Sequence, residues 1–381
     1  MVSIYASEAY EETKLDRLVD TIFKEHQLDL KIKAGMKVVL KPNLLAIRDE
    51  ASATTTHHLF VKSVAKKVVA CGASCTVCDS PAGNYTQGAL KNTYTSLHYD
   101  EIEQVGANLN LDTSFRKVNI QGEVVKNIDI ITPILEADFV INLPKLKTHA
   151  MMNLTFAVKN FFGIVPGMAK AEMHSIHSDY MDFANTVIDI CQSVKPQFTI
   201  GDAILAMEGN GPNQGKPRKV GLVIAGENPF EIDFVASKII QMPQHYAYTV
   251  QASIERKLLD TKKISITGKT IEEVKVSHFL LPDSVKKGMF KGMIHLAKLL
   301  KPYPTFNAKK CSRCKLCITR CPVQVLALKN NRVVLTDRSK CIRCFCCSEH
   351  CPSDAIAIKH KLIFSKTGER MIKKVLGDDH K

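Results

Sequence analysis

Eight cysteines in the C-terminal quarter of the chain have the spacing of iron–sulfur ligands. They form two runs of the pattern C-x2-C-x2-C-x3-C-P, one starting at Cys311 and the other at Cys341. Thiolates at these spacings hold [4Fe–4S] clusters, whereas zinc sites usually take paired C-x2-C knuckles. The pattern therefore predicts two [4Fe–4S] clusters and a protein that carries electrons.

The two runs are an internal repeat with a period of 30 residues. The fourth cysteine of each run lies too far along the chain to close its own cluster, so it ligates the other one. This arrangement predicts a pseudo-twofold, ferredoxin-like module. The predicted ligands are Cys311, Cys314, Cys317 and Cys351 for the first cluster, and Cys341, Cys344, Cys347 and Cys321 for the second. Cys346 is out of phase and is predicted to pack beside a cluster, with a ligand role as the alternative.

Upstream of the cysteines, short apolar runs alternate with longer helical patterns, as in a mostly parallel α/β sheet. Strands are predicted at residues 37–41, 74–79, 138–143, 197–202 and 220–225, and helices at 14–26, 59–71, 179–193 and 229–240. The predicted fold class is a mostly parallel-sheet α/β domain followed by a small α+β ferredoxin-like domain. The predicted boundaries are 1–282 for the α/β domain, 283–304 for a basic amphipathic helix and linker, 305–361 for the cluster domain and 362–381 for a basic tail.

Polar side chains follow four of the predicted strands, and in open α/β sheets ligands bind outside the carboxyl ends of the strands. Lysines beside carboxylates and a histidine suit an anionic substrate and proton transfer. Each residue alone is equally explained as a strand-end cap or a solvated loop charge, so the prediction concerns the set. The predicted substrate-binding residues are Lys41, Asp79, Lys145 and Lys147, and the predicted catalytic acid–base residues are His149, Asp202 and Glu208.

Several separated motifs occur in the order found in domain-of-unknown-function family 362. They are Lys41-Pro42-Asn43, Thr55-Thr56-His57, Gly72 to Pro81, Asn142 to His149 and Val158 to Gly163. The chain resembles that family over roughly residues 35 to 240, and the family is often fused to a two-cluster, bacterial-type ferredoxin domain, as here. The resemblance implies no settled activity, but it adds further substrate-site residues, Asn43, Lys159 and Asn160. One departure is that His57 is followed by His58 rather than by the expected proline.

The formal net charge of +14 looks at first like the signature of a nucleic-acid-binding protein. Eight thiolates and two oxidised cubanes reduce it to roughly +10, and the chain has no tryptophan to stack on bases. We therefore expect an acidic redox partner (ferredoxin, flavodoxin or a reductase) and a small anionic substrate, with no nucleic acid and no membrane. The N-terminus lacks a signal-peptide pattern and the cysteines suit a reducing compartment, so the predicted location is cytoplasmic.

These features together predict an anaerobic-type iron–sulfur oxidoreductase. An external low-potential donor charges the two clusters, which pass electrons to an unidentified substrate or cofactor at the strand ends of the α/β domain. The alternative is a non-catalytic electron carrier or assembly factor whose α/β domain recognises a partner protein. That alternative predicts a basic docking face and no small-molecule pocket.

Overall fold

The computed structural model describes residues 1–81, 83–167, 169–177, 179–283, 285 and 303–359. The chain divides after Asp283 into two compact units. The predicted basic helix and linker at 283–304 lie almost entirely outside the described residues, as does the predicted tail at 362–381. The predicted domain boundaries therefore stay predictions.

The first unit is built on a large, mostly parallel sheet, which confirms the predicted fold class. Its strands, in chain order, are β1 (Val2–Ala6), β2 (Lys37–Pro42), β3 (Ser74–Val77), β4 (Asn108–Leu109), β5 (Phe115–Asn119), β6 (Asn127–Ile131), β7 (Phe139–Leu143), β8 (Lys145–His149), β9 (Asn153–Thr155), β10 (Phe198–Glu208), β11 (Lys216–Gly226) and β12 (Ile266–Gly268). Neighbours in the main sheet follow the order β12-β1-β11-β10-β7-β2-β3-β4. The strands from β10 to β4 are parallel, while β11 is antiparallel to both β1 and β10.

Helices connect these strands, and the four predicted helices begin and end within two residues of their predicted bounds. The helices are α1 (Glu12–Glu25), α2 (Leu28–Lys31), α3 (His58–Ala70), α4 (Gln87–Ser96), α5 (Thr132–Leu135), α6 (Ala157–Asn160), α7 (Ala169–Ile176), α8 (Tyr180–Val194), α9 (Pro229–Ile239), α10 (Tyr248–Glu255) and α11 (Ile271–Val274). The helical spacing of Leu15, Val19 and Ile22 explains why α1 buries one face. Within the described ranges, no helix combines the length and apolar character needed to cross a lipid bilayer.

Two predicted loops are in fact strands. Lys145–His149, expected as a loop after β7, forms β8, which pairs with β10 on one side and β9 on the other. The strand predicted at 197–202 continues to Glu208, so Asp202 lies inside β10 rather than at its end. The physical reason is that the polar side chains of β8 are buried and hydrogen-bonded, so they break the apolar pattern without breaking the strand.

The second unit repeats one loop-and-helix motif around its cysteines, and the predicted small α+β domain is confirmed. Its elements are β13 (Tyr303–Phe306), α12 (Leu316–Thr319), β14 (Leu326–Lys329), β15 (Arg332–Leu335), α13 (Cys346–Glu349) and β16 (Ile356–Lys359). β13 pairs with β16 and β14 with β15, both antiparallel. Left-handed backbone recurs 30 residues apart, at Arg313 and Arg343 (φ 61° and 58°) and at Gln324 and Asp354 (φ 50° and 49°).

Candidate functional site

Lys41, near the carboxyl end of β2, and Asp79, just after β3, form a buried ion pair. The Lys41 Nζ atom donates to Asp79 Oδ1 at 2.6 Å and to the Pro42 carbonyl at 3.0 Å. The second Asp79 oxygen accepts the Leu44 N–H at 2.8 Å. The side chains are 1% and 5% exposed, so the sheet edge holds this lysine and carboxylate away from water.

The ion pair is closed on one side by Gly163. A Cβ atom at Gly163 would lie 2.2 Å from Asp79 Oδ1 and 2.6 Å from Lys41 Nζ. Because neither atom can move without breaking the pair, we expect Gly163→Ala to lower the free energy of unfolding by roughly 1–3 kcal/mol. Urea unfolding followed by circular dichroism measures this change.

Gly88 offers a matched control for that substitution. It lies in α4, and a Cβ there meets nothing within 4 Å. Gly88→Ala should therefore leave stability unchanged or raise it slightly. Equal unfolding curves for the two variants would contradict the close packing of Gly163 on the ion pair.

Three asparagines connect β2, β7 and α6 to a second lysine. Asn160 Nδ2 donates to the Lys41 carbonyl at 3.0 Å and to Asn142 Oδ1 at 2.8 Å. Asn160 Oδ1 accepts from Asn43 Nδ2 at 3.0 Å, and Asn43 Oδ1 accepts from Lys147 Nζ at 2.8 Å. A continuous chain of hydrogen bonds therefore joins residues predicted from the strand ends to those added by the family resemblance.

Lys145, Asp202 and Tyr10 form a second buried polar cluster. Lys145 Nζ donates to Asp202 Oδ2 at 2.8 Å and to the Tyr10 hydroxyl at 2.6 Å, and that hydroxyl donates to Asp202 Oδ1 at 2.8 Å. Burial lowers the pKa of Lys145, and the charge of Asp202 opposes this shift. Burial also raises the pKa of Tyr10 well above its usual value. Sequence analysis missed Tyr10, because it precedes α1 and follows none of the strands used to locate the site.

Lys170, in α7, is a further lysine that sequence analysis missed. Its Nζ atom donates to the carbonyl of Ser80 and, at 3.2 Å, to the Ser80 hydroxyl. The side chain is half-buried as a whole, but its amine is desolvated. That burial lowers the pKa of Lys170 to about 7; Asp79 opposes the shift, while Lys41 and Lys159 add to it. Lys170 therefore lies in the positive field of the site.

His149, at the end of β8, lies on the same strand face as Lys147. Its Nδ1 atom accepts the N–H groups of Met151 and Met152 at 3.1 and 3.2 Å, so the neutral ring carries its proton on Nε2. Burial lowers the pKa of His149 well below its usual value, and nearby cations including Lys159 and Lys147 lower it further. The ring is thus a neutral hydrogen-bond donor in a positive environment.

Glu208, the third predicted acid–base residue, has a different contact. Its Oε2 atom accepts the Leu280 N–H at 3.0 Å, and the neighbouring Gly209 N–H donates to the Leu280 carbonyl at 2.6 Å. These contacts fasten the segment that follows α11 to the end of β10. We therefore leave Glu208 out of the site proposed below.

Asp233, in α9, positions the short helix that carries Lys159 and Asn160. Its carboxylate accepts the N–H groups of Ala157 and Val158, the first residues of α6, at 2.6 and 3.3 Å. Burial raises the pKa of Asp233 to about 7, and these two hydrogen bonds oppose the rise. Sequence analysis missed this residue, although an aspartate on the apolar face of a predicted helix is a signal that could have found it.

In the second unit, two cavities are each lined by four cysteines. One is lined by Cys311, Cys314, Cys317 and Cys351, and the other by Cys321, Cys341, Cys344 and Cys347. The fourth cysteine of each run therefore faces the cavity of the other run, which is the partition predicted from the spacing. Cys346 is buried, 3% exposed, and is absent from both sets of lining residues.

The chemistry of these cavities fits an iron–sulfur core. Burial raises the pKa of Cys317 to about 11, and the nearby thiols of Cys351, Cys311 and Cys314 add to the rise. Four thiolates so close together require a cationic core to offset their charges, and an iron–sulfur cube supplies it. Each set of four thiols would hold one such group, which exchanges single electrons when bound.

The two cysteine cavities differ in exposure and charge. Cys314 is exposed, whereas Cys344, its equivalent 30 residues on, is 8% exposed. Basic side chains including Lys309, Lys315 and Arg332 line the first cavity, while the second is lined mainly by apolar groups. The first cavity is therefore the more accessible of the two to a charged partner.

The fold and the two cavities define a protein in which an α/β domain is joined to an iron–sulfur module. A family model described as "Domain of unknown function (DUF362)" matches residues 38–238, and one described as "4Fe-4S dicluster domain" matches residues 303–352. The chain belongs to the DUF362 family, and its C-terminal module is an iron–sulfur domain of the 4Fe–4S type.

The chain is similar in part to one curated relative and to one solved structure. It is 34% identical to the thylakoid-associated protein sll1697 of Synechocystis over 249 residues, covering 63% of this chain and 74% of that protein. The lactate racemase apoprotein from Thermoanaerobacterium thermosaccharolyticum aligns with 12% identity and a TM-score of 0.39, covering 62% of this chain and 56% of that one.

Proposed function

We propose that the protein is an iron–sulfur oxidoreductase that passes electrons through two [4Fe–4S] clusters to a small anionic substrate or cofactor in the α/β domain. The observation that carries the proposal is a group of lysines around the carboxyl ends of the parallel strands, three of them buried and two half-buried. The group comprises Lys41, Lys145, Lys147, Lys159 and Lys170. We name this group the lysine site.

The electrostatics of the lysine site support an anionic ligand. Lys147 donates to the uncharged oxygens of Asn43 and Thr54, and Lys170 donates to the uncharged oxygens of Ser80. Carboxylate or phosphate oxygens are the groups that buried lysines bind most favourably. His149, as a neutral donor, and Asp202 are the groups we propose for proton transfer.

The cluster module supports a role in electron supply. Each cluster exchanges one electron, and joining the module to the α/β domain in one chain raises the effective concentration of the electron source at its acceptor. No disulfide joins any of the thirteen cysteines, all of which lie within the described residues, and we propose a reducing, cytoplasmic setting for the protein. An anaerobic setting belongs to the same proposal, because low-potential clusters are oxygen-sensitive.

An acidic redox partner is proposed to dock beside the exposed cavity. Residues 303–359 contain eleven Lys or Arg and three Asp or Glu side chains. Two clusters with their eight thiolates contribute about −4, so this region keeps a net positive charge of about +4. Exposed lysines and arginines near Cys314 would then steer a ferredoxin, flavodoxin or reductase to the accessible cluster.

Native mass spectrometry of protein purified without oxygen tests the proposal. We expect the mass of two [4Fe–4S] clusters plus a small retained anion above the mass of the apo chain. Clusters alone, with no ligand captured from cell extract or from candidate anions, would favour the second function, an electron carrier or assembly factor. That function has one observation in its favour, because Lys41 and Lys145 already have the carboxylate partners Asp79 and Asp202.

The pH dependence of anion binding is a further expected result. Because the pKa of Lys170 is about 7, its ammonium form is lost as pH rises through 7. Binding of sulfate, whose charge is constant in this range, should therefore tighten below pH 7 and weaken by up to about tenfold per pH unit above it. Isothermal titration calorimetry between pH 6 and 9 measures the trend.

Two variants define the cause of that trend. Lys170→Gln should weaken sulfate binding at pH 6 and remove most of the pH dependence. Lys263→Gln, at an exposed lysine in a surface pair with Asp260, should behave as the wild type. An unchanged pH profile in Lys170→Gln would remove Lys170 from the anion site.

A further inference from the structure

Beside the lysine site, Glu50, His57 and His58 bring three metal-ligating side chains to one point. One ligand atom from each lies within 4.8 Å of the other two. We propose that these residues bind a divalent transition-metal ion, with zinc as the ion that suits them best. This site goes beyond the proposed oxidoreductase function and does not rest on it.

The distances are close to those that a metal ion requires. Glu50 Oε2 is 3.3 Å from His57 Nε2, and Glu50 Oε1 is 2.7 Å from His58 Nδ1. Ligands at about 2.0–2.1 Å from a tetrahedral zinc ion lie about 3.4 Å from one another. These two contacts end at different oxygens of Glu50, and only the first has the tetrahedral value. For one ligand atom from each residue the separations are within 4.8 Å, so the side chains must move closer together to enclose an ion. Two imidazole nitrogens and a carboxylate oxygen are also the donor set of many catalytic zinc sites.

The surrounding groups hold the two rings in place. The His57 ring stacks on Tyr10 with 3.8 Å between ring centroids and an interplanar angle of 13°. His58 Nε2 lies 3.8 Å from Glu101 Oε2, too far for a hydrogen bond but close enough for the carboxylate to orient a metal-bound imidazole after a small side-chain movement. Metal binding at His57 Nε2 moves the ring proton to Nδ1 and gives up one long contact from the Leu59 N–H, at 3.3 Å.

Local charge and access also favour a cation. Glu50 contacts both histidines, Asp202 acts on His57 and Glu101 on His58. The nearby cations are Lys145 and Lys62. The side chains of Glu50, His57 and His58 are 17%, 15% and 11% exposed, so an ion can enter from solvent. With three protein ligands, a tetrahedral ion keeps one position for water or another ligand.

The test is equilibrium dialysis of the cluster-loaded protein against Zn²⁺, with zinc and iron per chain counted by mass spectrometry. Counting iron shows whether zinc has replaced iron in the cysteine cavities. We expect one zinc per chain with iron unchanged, and a higher melting temperature with zinc than without it. Glu50→Gln keeps the size of the side chain and its hydrogen-bonding oxygen, and should weaken zinc binding at least tenfold, as should His57→Asn.

His245→Asn is the matched control, because His245 is an exposed histidine on the turn Gln244–Tyr246. It should bind zinc as the wild type does. The proposal is overturned if the wild type retains no zinc while its iron is unchanged. It is equally overturned if Glu50→Gln, folded with both clusters, binds zinc with wild-type affinity.

Discussion

Cys351→Ser is expected to remove about half of the iron, and the cluster lost is the one held by Cys311, Cys314 and Cys317. The reason is that Cys351 belongs to the second run in sequence but lines the cavity of the first run in space. A [4Fe–4S] cube that loses one of its four thiolates in the more exposed cavity is open to solvent and oxidants. Iron analysis and electron paramagnetic resonance of the reduced protein measure the loss.

Double variants separate this partition from the simpler one in which each run holds its own cluster. Cys351→Ser with Cys311→Ser should lose no more iron than Cys351→Ser alone, because both residues serve one cluster. Cys351→Ser with Cys341→Ser should lose nearly all of it. The reverse order of these two results would show that the runs act independently.

Cys346→Ser is the control from within the same run. Cys346 is buried next to the ligand Cys347, but it lines neither cavity. We expect it to keep the full iron content and to alter the spectrum of the reduced clusters only slightly. Iron loss equal to that of Cys351→Ser would make Cys346 a ligand.

The cysteine partition could be predicted from sequence because covalent spacing alone determines which thiols can reach a common point. In each run the first two cysteines lie in a loop, the third lies in the short helix that follows, and the fourth comes after that helix and points elsewhere. The backbone shows the same repeat, because equivalent residues such as Arg313 and Arg343 both have a left-handed conformation. No long-range contact has to be known beforehand.

The lysine site and its hydrogen-bond partners were only partly predictable, because some of these residues, such as Tyr10, come from distant parts of the chain. Lys41, Asp79, Lys145 and Asp202 follow or lie in strands, and the parallel sheet brings them together. Tyr10 reaches its place only through the packing of the segment before α1. Nothing in a local pattern indicates such contacts, since they depend on how elements far apart in sequence meet.

The strand β8 shows a second limit of sequence reasoning. The segment Lys145–His149 contains two lysines and a histidine, a composition typical of a loop, and the sequence analysis predicted a loop there. In the structure, Lys147 and His149 are 1% exposed. Lys147 donates to Asn43 and Thr54, which are distant in the sequence, and His149 accepts from the turn that follows β8. Hydropathy does not report such partners, so it did not indicate that these side chains are buried. The same buried partners make this region sensitive to substitution.

Asp202→Ala is expected to lower the free energy of unfolding by roughly 3–5 kcal/mol, because it leaves the ammonium group of Lys145 buried without its counter-charge. Asp202 is 0% exposed and accepts from Lys145, Tyr10 and the Ile204 N–H, at 2.8, 2.8 and 3.2 Å. Burial already lowers the pKa of Lys145, and removing Asp202 lowers it further, so the lysine must either lose its proton or draw in water. Urea unfolding of the cluster-loaded protein measures the loss.

The decisive comparison is the double variant Asp202→Ala with Lys145→Met, in which both charges are gone. Replacing a whole buried pair by apolar groups is close to neutral, so the double variant should be more stable than Asp202→Ala alone. Asp260→Ala, which breaks the exposed pair with Lys263, should leave the unfolding curve unchanged.

The contrary outcome is a double variant that is no more stable than Asp202→Ala. The loss of stability would then come from the space left by the Asp202 side chain and not from the unpaired charge of Lys145, and the lysine site would tolerate unpaired ammonium groups. Such tolerance would favour an anion-binding site, because a bound anion would then supply the negative charge that Asp202 provides to Lys145.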